Sequence, residues 1–150
     1  MEATEELKET EIGRVMVKAK LTNYDDVVRS QAGVIAPDQI RSLEIDALVN
    51  TGATMLVLPH DVAQQLGLSI VRKVRVTYAD GRDEKCGIAR GIIVEVQGRE
   101  AEVEALVQAA GTQALIGQVP LEVMDWTVDL KSRTLNPRPE SPDAPLLEIY

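Results

Sequence analysis

Phenylalanine is absent from this 150-residue chain, and cysteine, histidine and tryptophan occur once each. The single Cys86 excludes an internal disulfide framework and suits a reducing compartment. His60 stands without a His-Glu-x-x-His pattern or paired cysteines, so no metal site is expected. No apolar run approaches the roughly 18 residues of a membrane span. The first residues include Glu2, Glu5 and Glu6 and lack the basic start of a secretory leader. These absences point to a cytoplasmic chain with no membrane partner.

The formal net charge is −8, and it is unevenly spread. Glu2, Glu5, Glu6, Glu9 and Glu11 face only Lys8 in the first twelve residues, and Glu140, Asp143 and Glu148 close the chain without a basic partner. Between Gly13 and Pro139 the signs nearly cancel, with 15 basic and 16 acidic side chains. No basic stripe with interleaved aromatics exists, so nucleic acid is not an expected partner. The sequence divides into an acidic segment 1–12, a body 13–135 and a proline-rich tail 136–150. Pro137, Pro139, Pro142 and Pro145 mark that tail as extended. Leu146, Leu147, Ile149 and Tyr150 then restore apolar character.

What is present reads as β-rich. Val15, Val17, Ala19 and Leu21 alternate with Arg14, Met16, Lys18 and Lys20, the period of a half-buried strand. Ile45, Ala47 and Val49 repeat the pattern. Val74 and Val76 lead into Asp80-Gly81, a strong hairpin signal. Strands at 92–96 and 101–107 flank a second turn at Gln97-Gly98, and Trp126, Val128 and Leu130 alternate again. Short helices are expected at Asp61–Leu66, stopped by Gly67, and at Pro120–Met124. Gly87 and Gly91 carry no phosphate-loop pattern and read as bends in a strand. Many short strands with turn signals imply a closed or sandwiched β fold.

The informative segment is Leu48-Val49-Asn50-Thr51-Gly52-Ala53. It sets an amide side chain at the end of an apolar strand, followed by a residue that bonds nearby backbone and one that permits a tight turn. Taken alone, Asn-Thr-Gly also describes an ordinary turn. A second element, Leu115-Ile116-Gly117, follows later, and the Asp80-Gly81 hairpin lies between the two.

In this order the three elements resemble the retropepsin-like aspartic proteases, the single-lobed retroviral type and its bacterial relatives. The resemblance covers Gly13 to Leu135. It implies a mainly β fold, a closed acid-protease barrel with one or two short helices, active as a homodimer on peptide or protein substrates, with no cofactor. Asn50, Thr51 and Gly52 stand at the catalytic triplet, and Thr51 inherits the bracing of that loop across the dimer. Tyr78, Ala79, Asp80 and Gly81 stand at the tip of a hairpin flap and, with Ala53, would touch substrate. Leu115, Ile116 and Gly117 pack beside the catalytic loop.

One departure governs the chemistry. The family carries Asp where this chain has Asn50. Two carboxylates at close range share one proton; one activates water while the other polarises the scissile carbonyl. An amide keeps the size of Asp but does not ionise near neutral pH, so it cannot act as the base. The expectation is a folded, catalytically inactive protein. The active-type surroundings of position 50 favour an inactivating Asp-to-Asn substitution; the alternative is a natural pseudo-protease that binds peptides or dimerises a partner. The chain holds one triplet, so a two-residue centre needs two copies related by a twofold axis.

Overall fold

The computed structural model describes residues 14–150, so the acidic segment 1–12 lies outside the description. The alternation near the N-terminus becomes β1 (Val15–Asn23), whose inward positions are buried and whose outward positions are exposed. It pairs antiparallel with β2 (Ser42–Val49), with Val15 opposite Val49 and Thr22 opposite Ser42.

Next come β3 (Leu56–Pro59), β4 (Ile70–Thr77), β5 (Asp83–Val96), β6 (Arg99–Gln108) and the short β7 (Leu115–Ile116). They order as β1, β2, β7, β3, β6, β5, and pairing of β5 back onto β1 closes the ring. The mainly β, closed architecture expected from the sequence is the one observed. β4 lies outside the ring, against β5 alone.

Two features let β5 serve both the ring and this outer ladder. It is fourteen residues long, and its register on β6 shifts between Ala89 and Ile92, where Gly91 takes φ +73°. This bulge bends the strand, so its first half meets β4 and its second half meets β1. The turn into β6 places Gln97 and Gly98 at φ +50° and +83°, the twist that a tight hairpin needs.

The ring encloses one apolar core containing Leu21, Leu56, Leu58, Ile92, Val94 and Ile116. Each such side chain contributes roughly 1.5–3 kcal/mol by leaving water. Because side chains alternate across a strand, Val57, Ile88 and Leu106 point the other way. With Cys86 they form a smaller cluster, joined by the half-buried Met55, Val74, Val76 and Leu115.

Two polar knots hold the periphery. Tyr24–Gln31 forms α1, a helix the hydrophobic pattern does not reveal. Its cap is Asn23, whose Oδ1 accepts the Asp26 N–H at 3.0 Å while its Nδ2 donates to the Leu66 carbonyl at 2.8 Å. The buried Asp26 carboxylate accepts Arg41 Nε at 2.8 Å, Nη2 at 3.0 Å and the Arg41 backbone N–H at 3.0 Å. Gly67 follows α2 (His60–Gln65) at φ +65°, and a Cβ there would lie 1.8 Å from Arg41 Nη1.

The second knot is at the other end. Helix α3 (Gln118–Met124) is closed by Asp125 at φ +63°. A hairpin of β8 (Trp126–Asp129) and β9 (Thr134–Pro137) follows. Buried Arg99 donates to the carbonyls of Met124 at 3.2 Å, Asp125 at 2.9 Å and Ser141 at 2.5 Å, and stacks on Trp126 at 4.5 Å. The Asp125 carboxylate accepts Arg138 Nε at 2.5 Å and the Leu146 N–H at 3.0 Å. Asn136 and Pro137, expected in the extended tail, belong to β9; the segment after Pro137 is irregular but tied to the body as far as Leu146. Leu147, Ile149 and Tyr150 remain exposed.

Candidate active site

The chemistry-bearing loop is fixed by its backbone. Leu48 and Val49 run parallel to Leu115 and Ile116. The Asn50 N–H continues that ladder, donating to the Ile116 carbonyl at 3.0 Å. The chain then turns. Asn50 Oδ1 accepts the Gly52 N–H at 2.9 Å, and the Asn50 carbonyl accepts the Ala53 N–H at 3.1 Å. This is the Asx-type local bonding that Asn favours at turns.

The loop is braced from behind. Gln118 and Val119, the first residues of α3, donate their N–H groups to the carbonyls of Ala53 and Thr54, each at 2.8 Å. The amides left free at a helix start thus find partners. Gly117 makes the contact possible, because a Cβ there would stand 2.5 Å from the Met55 carbonyl oxygen. Thr51 projects from the turn, exposed, and its hydroxyl has no hydrogen-bond partner among the described residues.

The loop forms one wall of a groove of about 570 Å³. Asn50, Gly52, Ala53, Thr54 and Met55 line that wall; Val57, Leu106 and Leu115 floor the groove; residues 74–79 of the β4–β5 hairpin make the opposite wall. Of the residues singled out in the sequence, Asn50, Gly52, Ala53, Tyr78, Ala79 and Leu115 meet here. Thr51, Asp80 and Gly81 lie outside the wall, Ile116 is buried in the core, and Gly117 sits behind the loop.

The hairpin tip is a closed turn. Tyr78 N–H donates to the Arg82 carbonyl at 2.9 Å, and Gly81, at φ +84°, donates back to the Tyr78 carbonyl at 2.9 Å. Arg82 stacks over the Tyr78 ring at 4.4 Å. The Tyr78 hydroxyl donates to Glu84 Oε2 at 3.0 Å and accepts from Gln108 Nε2 at 3.0 Å. Burial first, then the Glu84 carboxylate, pushes its pKa up, so this hydroxyl stays protonated and holds the ring in place. Gln108 lies thirty residues away in the chain, and nothing in the sequence marks it.

Arg75 is the only charged residue lining the groove among the described residues, and no Asp or Glu lines it. The amide at Asn50 can donate and accept hydrogen bonds but moves no proton. Among the described residues no group of three or more His, Cys, Asp or Glu side chains is placed to hold a metal ion. None of their helices is long and apolar enough to cross a membrane.

Comparison with curated proteins returns no match. Residues 37–122 match the model of a family described as gag-polyprotein putative aspartyl protease. The match takes in the Asn50 loop, the β4–β5 hairpin and Leu115–Gly117, and spans more than half of the chain. The chain belongs to this aspartyl-protease family.

Proposed function

We propose that the protein is a retropepsin-type endopeptidase domain whose reactive centre is split between two copies and silenced by the amide at position 50. The observation that carries this reading is the place of Asn50. It follows the half-buried strand β2, lies in a backbone-braced turn and lines an apolar groove opposite a hairpin. An extended peptide fits such a groove, with its backbone paired to strand edges and alternate side chains in pockets. Val57, Leu106 and Leu115 supply an aliphatic floor, and Tyr78 with Ala79 covers it. Thr51 and Gly52 shape the turn that meets its twin on the axis.

A carboxylate at position 50 in each copy would share a proton across that axis. One member takes a proton from water and the other hydrogen-bonds the scissile carbonyl, so water adds directly without a covalent intermediate. The close match of the surroundings to the active pattern supports an Asp replaced by Asn. The lack of any acid among the described residues of the groove wall favours a second reading for the chain as it stands, a dimeric module that binds peptides without cutting them.

The variant Asn50→Asp separates the readings. The protease reading expects acid-favoured cleavage of peptides, blocked by a hydroxyl-bearing transition-state mimic. Binding without cleavage, across a broad peptide and pH panel, leaves only the binding module.

A further inference from the structure

The β4–β5 hairpin gathers cations at the positions that alternate with its half-buried valines. Val74 and Val76 enter the smaller apolar cluster, so Lys73 and Arg75 hold the alternate positions of β4, and Arg75 borders the groove as well. Across the ladder Arg75 stands opposite Lys85, and Lys73 opposite Gly87. Like charges directly opposed on a sheet are destabilising. Arg75 is offset by an exposed ion pair with Asp83 at 3.9 Å. Lys73 and Lys85 make no ion pair or hydrogen bond among the described residues. In a chain of net charge −8, Lys73 and Lys85 stand out as cations without an ion pair among the described residues.

These lysines border a cavity. Lys73, Lys85 and His60 line a space of about 370 Å³, with Ile70, Cys86, Gly87, Val107 and Ala109 among the other lining residues. That volume lies in the range of small-ligand pockets. Glu84 also borders it, its carboxylate accepting the Tyr78 O–H at 3.0 Å, and its negative charge offsets part of the charge of the two lysines. Gln108 lines this cavity and the groove alike.

We propose that this cavity binds a phosphate-bearing small molecule, held by Lys73, Lys85 and His60, at a site separate from the peptide groove. Lysine ammonium groups are point-charge partners for phosphate oxygens, and an imidazole N–H adds a directional donor. A multiply charged oxyanion offsets the repulsion that opposed cations impose on the ladder, and a singly charged ligand offsets less of it. Its binding stiffens the hairpin whose other face carries Tyr78. The proposal stands whether or not the groove is catalytic.

The test titrates the whole chain with inorganic phosphate and with pyrophosphate at low ionic strength, read by calorimetry. The expected result is saturable binding of one anion per chain, tighter for pyrophosphate, with slowed amide exchange across residues 73–87. The double variant Lys73→Gln/Lys85→Gln should lose at least about tenfold in affinity while melting no lower than the parent, because it removes repulsion. The variant Lys18→Gln, which breaks an exposed ion pair with Asp46 on β1, should bind unchanged. Absence of saturation at millimolar pyrophosphate overturns the site. So does full affinity in the double variant, or an equal loss in Lys18→Gln, which would mark diffuse charge attraction.

Discussion

Gly117 and Met55 touch through their backbones: a Cβ on Gly117 would lie 2.5 Å from the Met55 carbonyl oxygen and 2.6 Å from that of Ala53. Its φ of −89° is open to any residue, so space and not backbone conformation selects glycine here. Gly117→Ala must push the Ala53–Met55 loop off the start of α3. We expect a loss of about 2–3 kcal/mol in chemical denaturation, together with loss of peptide binding in the groove. Wild-type stability would show that the loop yields freely.

Asp26 predicts how the fold fails in acid. Hydrogen bonds from the Arg41 guanidinium, more than any other influence, hold its pKa down to about 2. An unfolded Asp titrates near ~3.9, so the folded state favours the ionised form. This contribution is full above about pH 4 and disappears as the pH falls toward about 2; it amounts to about 2 kcal/mol. Asp125 acts in the same direction, held low chiefly by Arg138. Asp26→Asn should lower stability at neutral pH and flatten the decline of stability over that acid range, as measured by urea unfolding at successive pH values. An unchanged slope would assign acid sensitivity elsewhere.

Arg99 predicts the fate of the C-terminal segment. Its guanidinium serves three carbonyls, those of Met124, Asp125 and Ser141. Arg99→Met keeps the stem and strands those acceptors, at a cost of about 3 kcal/mol. Proteolytic nicking within residues 138–146 should rise sharply, and Trp126 emission should shift as its stacked cation leaves. Unaltered protease resistance would contradict the tie.

Much of the ring could be read from alternation, since β1 and β2 each bury one face and a period of two has no other simple explanation. The tight turns at Asp80-Gly81 and Gln97-Gly98 were legible because few residues tolerate positive φ. The loop at Asn50 and its brace at Gly117 became legible only as an ordered set, through the family they resemble. The rest depends on distant partners. α1 carries its signal in Asn23, Asp25 and Asp26, a cap and first-turn acids, and not in an apolar stripe. Asp26 with Arg41, and Arg99 with Ser141, pair residues that no local pattern joins. Gln108 and Leu106 enter the groove only because β6 lies beside β3.

Thr51 offers a direct probe of the proposed twofold axis. In a Cys86→Ser background, Thr51→Cys places one thiol per chain at the exposed turn. If two turns meet on an axis, their Cα atoms come within the roughly 4.4–6.8 Å that a disulfide spans. Mild oxidation should then yield a covalent dimer in high yield, unaffected by dilution after cross-linking. Persistent monomer, or cross-linking no faster than for a Thr127→Cys control, would argue against that arrangement.

The central claim is that each chain holds half of a proton-sharing centre. The initial rate of peptide cleavage by Asn50→Asp, followed against protein concentration at mildly acidic pH, tests it most directly. At low concentration the rate should rise with the square of concentration and become linear once dimer dominates. A rate strictly proportional to concentration down to a demonstrably monomeric protein, or no cleavage at any concentration, would contradict it.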